Sequence, residues 1–166
     1  MNKIQGSVEE QYSILLVYYE ALKESNSGTK VKMKLSPEAD NPQFYRLYIC
    51  FVACKKEWLV GCRRVNRLDD CHIKGPHEGQ LLVAIGIDAD NLMFSIAYTA
   101  IESECAATWS WFLEFLGENL EIANSQTITW ITDKQKGLVD AVNDVFPNSK
   151  HRFCVRHLYN NFKLSS

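Results

Sequence analysis

The hydrophobic pattern of the chain changes its period near residue 105, and this change limits the folds that are available. Before it, apolar residues run almost continuously or alternate, as they do in strands. After it, two stretches repeat apolar residues every three or four positions, as helices do, and a short strand-like segment follows each of them. Three strands followed by alternating helices and strands predict an α/β (α+β) fold, a mixed sheet with flanking helices.

The same patterns place the individual elements. The predicted strands cover residues 31–35, 44–53, 59–68, 80–87, 92–101, 127–132 and 150–155. The predicted helices are an N-terminal helix that ends before Gly28, a helix over residues 105–120 and a helix over residues 138–146. The polar residues 55–57 are interpreted as the tip of a hairpin. The aromatic stripe of the 105–120 helix is interpreted as core packing.

From residue 59 onward, this order of elements is that of a ribonuclease-H-like layout. Such a layout normally closes with one more helix. The pattern predicts none after the strand at 150–155, so we expect a C-terminally truncated sheet. We divide the chain into a small N-terminal helix-and-strand segment, residues 1–57, and the ribonuclease-H-like domain, residues 58–166. A length of 166 residues with 46% hydrophobic residues suits one such domain with a small appendage.

The overall charge gives the chain no general attraction to nucleic acid. Eighteen basic and twenty acidic residues leave a net charge of −2. Any contact with DNA would therefore use a local patch. The most basic part of the chain is its C-terminal segment, with Lys150, His151, Arg152, Arg156, His157 and Lys163. Phosphate contacts and a merely solvated face both explain this composition.

The six cysteines are expected to be reduced thiols, several of them small core residues. Their spacings between Cys50 and Cys71 are too wide and uneven for a zinc knuckle. We expect no secretory leader, because the N-terminus lacks a basic-then-apolar pattern. We also expect no membrane span, which needs roughly 20 consecutive apolar residues.

Two aspartates follow predicted strands and are candidates for a divalent-metal site. Asp69 ends the strand at 59–68, and Asp133 ends the strand at 127–132. Metal-assisted phosphodiester chemistry uses carboxylates that hold two ions about 4 Å apart, and adjacent strands about 5 Å apart suit this. The intervening hairpin and helix allow the fourth strand to return beside the first. Each residue also has a simpler interpretation, Asp133 as a helix cap and Asp69 as a turn residue.

The other acidic residues near these strands are weaker candidates. Asp70 is not expected to share a metal with its neighbour, because successive side chains of a strand point to opposite faces. Asp88 and Asp90 are interpreted as hairpin-turn residues. Glu102 and Glu104 lie at a strand-to-helix junction. Either they begin a helix, where the dipole favours them, or one of them leans into the site.

A Cys-x-x-His pair, Cys154 and His157, follows the last predicted strand. Zinc usually takes four ligands, so this pair needs partners that only folding could supply. His151, Cys71 and His72 are the candidates. The simpler interpretation is a buried thiol beside a surface imidazole.

Several segments, taken in order, resemble the catalytic domain of plant Mutator-like element (MULE) transposases. They are DDCHIKGP (69–76), QLLVAIGID (80–88), WSWFL (109–113), TDKQKGL (132–138) and HRFCVRHLYNNF (151–162). The residues before Cys62 are also similar to what precedes that domain. The resemblance therefore extends over nearly the whole chain.

This resemblance implies a ribonuclease-H-like fold and a DDE transposase, in which three acidic residues hold two divalent metal ions that cut and rejoin DNA. By position, Asp69 would be the first carboxylate and Asp133 the second, while Cys154 and His157 match the CxxH motif of the family. The resemblance further implies Mg²⁺ or Mn²⁺ as the cofactor, with zinc not expected. The implied partners are DNA with terminal inverted repeats and either a second copy or a full-length transposase. The implied location is the nucleus.

Two departures from the family pattern matter. The family usually has Gly after the first Asp, and here that position is Asp70, which reaches fewer backbone conformations. The third acidic residue of the family lies downstream of the CxxH segment, and this sequence has none there. We therefore expect a transposase core fragment that is inactive by itself. The alternative is a domesticated, non-catalytic module that binds DNA or protein.

Overall fold

A computed structural model describes residues 8–35, 44–74 and 79–164. The strands are β1 (Lys30–Leu35), β2 (Phe44–Cys50), β3 (Val65–His72), β4 (Gln80–Ile87), β5 (Met93–Ile101), β6 (Thr129–Thr132) and β7 (Lys150–Phe153). The helices are α1 (Val8–Ser25), α2 (Val52–Gly61), α3 (Ala106–Asn119), α4 (Lys136–Val145) and α5 (Val155–Leu164), with a 3₁₀ turn at Ser125–Thr127. The seven strands form one mixed sheet in the order β1-β2-β5-β4-β3-β6-β7.

The predicted order of elements from β3 onward is confirmed. Strands β3, β4 and β5 form an antiparallel meander. After α3, strand β6 returns to lie parallel to β3, and after α4, strand β7 lies parallel to β6. The fold is therefore the predicted mixed α/β sheet with flanking helices.

Two cores hold the helices against the sheet. The larger one packs α3 and α4 on one face around fully buried aromatic residues, including Trp109, Phe112 and Trp130. The Trp130 ring stacks on Phe146 of α4 with centroids 5.0 Å apart. A smaller cluster near the β1–β2 edge includes Leu22 of α1. The interpretation of the α3 stripe as core packing is thus confirmed, and each such side chain contributes about 1.5–3 kcal/mol when it is buried.

The segment around residues 51–64 differs from its prediction. Residues 55–57 are not a hairpin tip, because they lie inside α2, and the strand predicted over 59–68 begins only at Val65. The reason is the fully buried Trp58, whose indole N–H donates to Asn66 Oδ1 at 2.7 Å. A helix lets Trp58, Leu59 and Cys62 reach the same core.

The C-terminal segment also differs, because a helix does follow the last strand. Strand β7 ends at Phe153, and α5 begins at Val155. Cys154 is buried, and the next two residues on its side of the helix, His157 and Leu158, are half-buried. The expectation of a sheet without a closing helix is therefore wrong. Val155, Leu158, Tyr159 and Phe162 recur at helical spacing, and this signal is missed because the segment is assigned to a strand up to residue 155.

Strands β1 and β2 of the N-terminal segment belong to the same sheet as the later strands. Strand β2 pairs antiparallel with β5, and β1 pairs with β2 at the sheet edge. The division after residue 57 remains a prediction, and it falls inside α2. Gly28, at φ 87°, follows the end of α1 as expected from its conformational freedom. None of the helices in the described ranges combines the length and apolar character that a bilayer crossing requires.

Candidate functional site

The parallel pairing of β3 with β6 brings the two candidate aspartates to the same level of the sheet. Arg67 pairs with Ile131, and Asp69 and Asp133 each lie two residues further along. Neighbouring strands are about 5 Å apart, so the two backbones run close together here. Asp69 does not end its strand as predicted, because β3 continues to His72.

Asp133 orders the turn between β6 and α4. Its Oδ1 accepts a hydrogen bond from the Gln135 backbone N–H at 3.0 Å. Gln135 is the N-cap residue of α4. Asp133 is therefore not the helix cap; its side chain instead forms a turn just before the cap. This hydrogen bond orients the carboxylate at the carboxyl end of β6.

Asp70 interacts electrostatically with the other carboxylates of the site. It lies on the same face of β3 as the buried Leu68, because alternate residues share a face. Burial raises the pKa of Asp70 above its ordinary value. Three neighbouring carboxylates, Glu104, Asp133 and Asp69 in order of effect, raise that pKa further. A cation bound nearby would reverse this effect, since an opposite charge favours the ionised carboxylate.

The two glutamates at the β5–α3 junction have different roles. Glu102 accepts two hydrogen bonds from the Arg46 guanidinium, at 2.6 and 3.0 Å. Burial alone would raise the pKa of Glu102, but the hydrogen bonds from Arg46 and the backbone outweigh burial and lower it. Glu104 accepts a hydrogen bond from the buried Trp109 indole at 2.8 Å and lies 3.5 Å from the Gln80 amide. Because Glu104 raises the pKa of Asp70 whereas Glu102 is paired with Arg46, Glu104 is the glutamate that leans towards Asp70.

An open pocket of about 460 Å³ lies beside Glu102. Its lining residues are His72, Ile73, Gly79, Gln80, Glu102 and Ser103. Gln80 links the pocket to Glu104.

The two residues of the CxxH pair differ in their hydrogen bonds. Cys154 is buried just before α5, and Arg67 Nη2 donates to its Sγ at 3.4 Å. His157 Nδ1 is buried and has no hydrogen-bond partner among the described residues. The predicted partner His151 instead shares a 2.7 Å hydrogen bond with Thr132 Oγ1, and burial lowers the pKa of His151. The exposed Cys71 is not joined to the pair.

The candidate ligands fit a divalent ion in their chemistry but not in their number. Carboxylate oxygens such as those of Asp69 and Asp133 are what Mg²⁺ and Mn²⁺ take from proteins. In the part of the chain that the structure describes, no three His, Cys, Asp or Glu side chains form a group that could hold a metal ion. Two carboxylates still suit Mg²⁺, which takes its other ligands from water and substrate phosphates.

Asp88 and Asp90 form a hairpin turn, as predicted. Asp88 Oδ1 accepts backbone hydrogen bonds from Asp90 at 2.9 Å and from Leu92 at 2.8 Å. Asn91 takes a left-handed conformation, with φ 65°, which Asn tolerates better than most residues.

Two features of the site were missed by sequence reasoning. One is the electrostatic coupling of Asp70 with Glu104 and Asp133, which would have followed from extending the alternation of β3 past Leu68. The other is the Arg67–Cys154 contact, which joins positions far apart in the chain and has no local signal.

Comparison with known families identifies the chain. The MULE transposase domain matches residues 65–161, which is more than half of the sequence. The chain therefore belongs to the MULE transposase domain family, as its motifs indicated. A search of the curated proteins found no match.

Solved structures with some similarity include two of the catalytic domain of Mos1 transposase. One, with Raltegravir and Mn, has a TM-score of 0.36 at 14% identity. The other, described as the Mos1 mariner transposase, has a TM-score of 0.32 at 14% identity. Each match covers 60% of this chain and 54% of the other chain, so this chain spans about half the length of those structures.

Proposed function

We propose that this member of the MULE transposase domain family is the core of a DDE-type transposase, which cuts and rejoins DNA with divalent metal ions. The observation that carries the proposal is the register of β3 and β6, which places Asp69 and Asp133 at one level on adjacent strands. In this proposal these residues are the first and second catalytic carboxylates.

Asp69 and Asp133 would hold Mg²⁺ or Mn²⁺, which when bound stabilises the charge that develops on a reacting phosphate. The chain itself orients the carboxylates. Asp69 Oδ1 accepts the Asp70 backbone N–H at 3.1 Å, and Asp133 is fixed by Gln135. Such preorganisation matters because metal-assisted chemistry depends on fixed ligand geometry.

The isolated chain is proposed to have little activity of its own. No three-ligand group exists among the described residues, and the sequence of α5 has no carboxylate. In the active assembly, a second copy or a full-length transposase would complete the site on DNA that carries terminal inverted repeats. A nuclear location is part of the same proposal.

The first experiment measures Mn²⁺ binding by calorimetry. Weak binding is expected for the 166-residue chain and is expected to be lost in Asp69→Asn and in Asp133→Asn. Asp140→Asn, on the exposed side of α4, is the matched control and should bind as the unaltered chain does. Unchanged binding in both site variants would contradict the assignment of these carboxylates.

The second experiment tests the reaction. Residues 65–161 replace the corresponding part of an active MULE transposase, and excision of a marked element is measured. Activity is expected in the chimera and is expected to be lost on Asp69→Asn or Asp133→Asn, with Asp140→Asn active. The isolated chain should not nick DNA with Mn²⁺, and nicking that both site variants abolish would overturn its proposed inactivity.

A domesticated, non-catalytic DNA- or protein-binding module is the second candidate. Two observations favour it, the lack of a three-ligand group in the described residues and the presence of Asp70 where the family has Gly. A chimera that is folded but inactive, and that becomes active on Asp70→Gly, would assign the loss of function to this position.

A further inference from the structure

The C-terminal segment differs in charge from the rest of the chain. Residues 150–166 contain four Lys and Arg residues and no Asp or Glu, so they carry +4 at neutral pH. The whole chain carries −2, which leaves −6 for residues 1–149. An anionic partner is therefore favoured at this segment and disfavoured over most of the remaining surface.

The outward face of α5 combines two cations with an aromatic ring. Arg156, Tyr159 and Lys163 are spaced three and four residues apart, so they lie along one side of the helix. All three are exposed, and Tyr159 is 59% exposed. The Lys163 ammonium lies 5.5 Å from the centre of the Tyr159 ring. This arrangement matches that of proteins that bind single strands, with cations for phosphates and a ring for a base.

Helix α5 begins on the same face of the sheet as Asp69. Arg67 and Asp69 are two residues apart in β3, so their side chains share a face. Arg67 donates a hydrogen bond to Cys154 at 3.4 Å, immediately before α5. The Cys154 N–H also donates to the Thr132 carbonyl at 2.7 Å, next to Asp133. A strand that lies along α5 would therefore lead towards the proposed metal site.

We propose that Arg156, Tyr159 and Lys163 bind an unpaired DNA strand, with the two cations on its phosphates and Tyr159 stacked on a base. A duplex would use the cations but not the ring, because its bases are already stacked inside the helix. The inference rests on the proposed function, since the bound strand is the one that Asp69 and Asp133 would act on.

The test measures fluorescence anisotropy of a labelled oligothymidylate and of a duplex of the same length, with the 166-residue chain and EDTA. The single strand is expected to bind more tightly. Tyr159→Ala should weaken that binding about tenfold, the order expected for one stacked base, whereas Tyr159→Phe should retain it. Arg156→Ala with Lys163→Ala should also reduce the slope of log K against log salt by about 1.4, about 0.7 for each lost phosphate contact.

Matched controls use exposed residues elsewhere. Tyr18→Ala on α1, and Lys23→Ala with Lys56→Ala on α1 and α2, remove one exposed tyrosine ring and two exposed positive charges and should leave binding unchanged. Circular dichroism and urea unfolding verify that each variant is folded. Wild-type affinity in folded Tyr159→Ala would overturn the inference. So would an equal loss in the controls, or a duplex preference that survives all α5 variants.

Two further measurements distinguish this inference from the proposed metal site and from dimerisation through α5. The single-strand affinities are measured in EDTA, without any metal ion, so a failure of the proposed metal site would leave their result intact. Size-exclusion chromatography tests a second copy as the occupant of α5. A dimer that Tyr159→Ala converts to a monomer, without any change in DNA affinity, would overturn the inference.

Discussion

Helices α3 and α5 both carry aromatic residues. Helix α3 buries them in the core, whereas α5 exposes them to solvent. In α3, Trp109, Phe112 and Leu116 are completely buried between the helix and the sheet. In α5, the aromatic residues Tyr159 and Phe162 are 59% and 73% exposed. An aromatic residue in a helix of this protein is therefore not by itself a sign of core.

The two helices also differ in what fixes them. Trp109 donates a hydrogen bond to Glu104, one of the carboxylates that raise the pKa of Asp70, so packing and site geometry are coupled there. The start of α5 is joined to the sheet through the thiol of Cys154. We infer that α3 supplies stability, whereas α5 is available to a partner. Four changes test the packing of these helices and the charge of the site between them.

Trp109→Ala is expected to have the largest effect on stability. Removing a fully buried Trp costs about 3–5 kcal/mol of the free energy of unfolding, and Glu104 also loses its indole donor. Tyr159→Ala on α5 should change the same quantity by less than about 0.5 kcal/mol, as surface changes usually do. Urea unfolding measures both variants. Equal losses would mean that α5 packs as tightly as α3.

Gly137→Ala tests how closely α3 and α4 approach each other. A Cβ at Gly137 would lie 2.9 Å from the Ala106 backbone nitrogen, closer than real contacts allow. The two helices would have to move apart, at a cost of about 1–3 kcal/mol. Asn143→Ala, on the exposed side of α4, is the control and should be within about 0.5 kcal/mol of the unaltered chain. A stable Gly137→Ala variant would show that the α3–α4 contact yields easily.

Asp70→Asn is expected to stabilise the fold slightly at neutral pH. The folded pKa of Asp70 is raised, so its ionisation favours the unfolded state as pH rises through that pKa. Removing the charge should therefore add up to about 0.5–1 kcal/mol near pH 7, a modest value because solvent screens a partly exposed carboxylate. The gain should vanish below the unfolded pKa of about 3.9.

Unfolding curves from pH 3 to pH 7 measure this pH dependence. Asp140→Asn is the control, because its position on α4 is exposed. A gain that persists at pH 3, or one that Asp140→Asn shares, would contradict the electrostatic explanation. If Mn²⁺ binds beside Asp69 and Asp133, it should reduce the stability gain of Asp70→Asn, because a nearby cation favours the ionised Asp70.

How much the sequence predicts depends on how many faces of an element are buried. Strand β4 was predicted at its observed bounds, residues 80–87, because its apolar run is continuous. The stripe of α3 was equally clear. In α2, ten residues with Trp58 as the buried side chain give a pattern that fits a strand or a helix.

The site was predicted only in part for a related reason. The return of β6 beside β3 follows from the order of the elements, and the register then brings Asp69 and Asp133 level. The coupling at Asp70 depends on β3 continuing to His72, four residues beyond its predicted end. Strand ends are set by pairing with a neighbour, here Gln80 of β4, and that pairing is not visible in the local pattern.

The last prediction concerns the attachment of α5. Its amide hydrogens are expected to exchange faster than those of α3, because a largely exposed helix opens locally at lower cost. Arg67→Met removes the hydrogen bond to Cys154. This loss should speed exchange in α5 by about fivefold, the equivalent of about 1 kcal/mol, and leave α3 unchanged. Arg152→Met, at an exposed position of β7, is the control. Native-state hydrogen exchange is measured by mass spectrometry for the unaltered chain and for both variants. Protection of α5 equal to that of α3 would remove the contrast between the two helices, since α5 would then belong to the cooperative core rather than to a surface open to a partner.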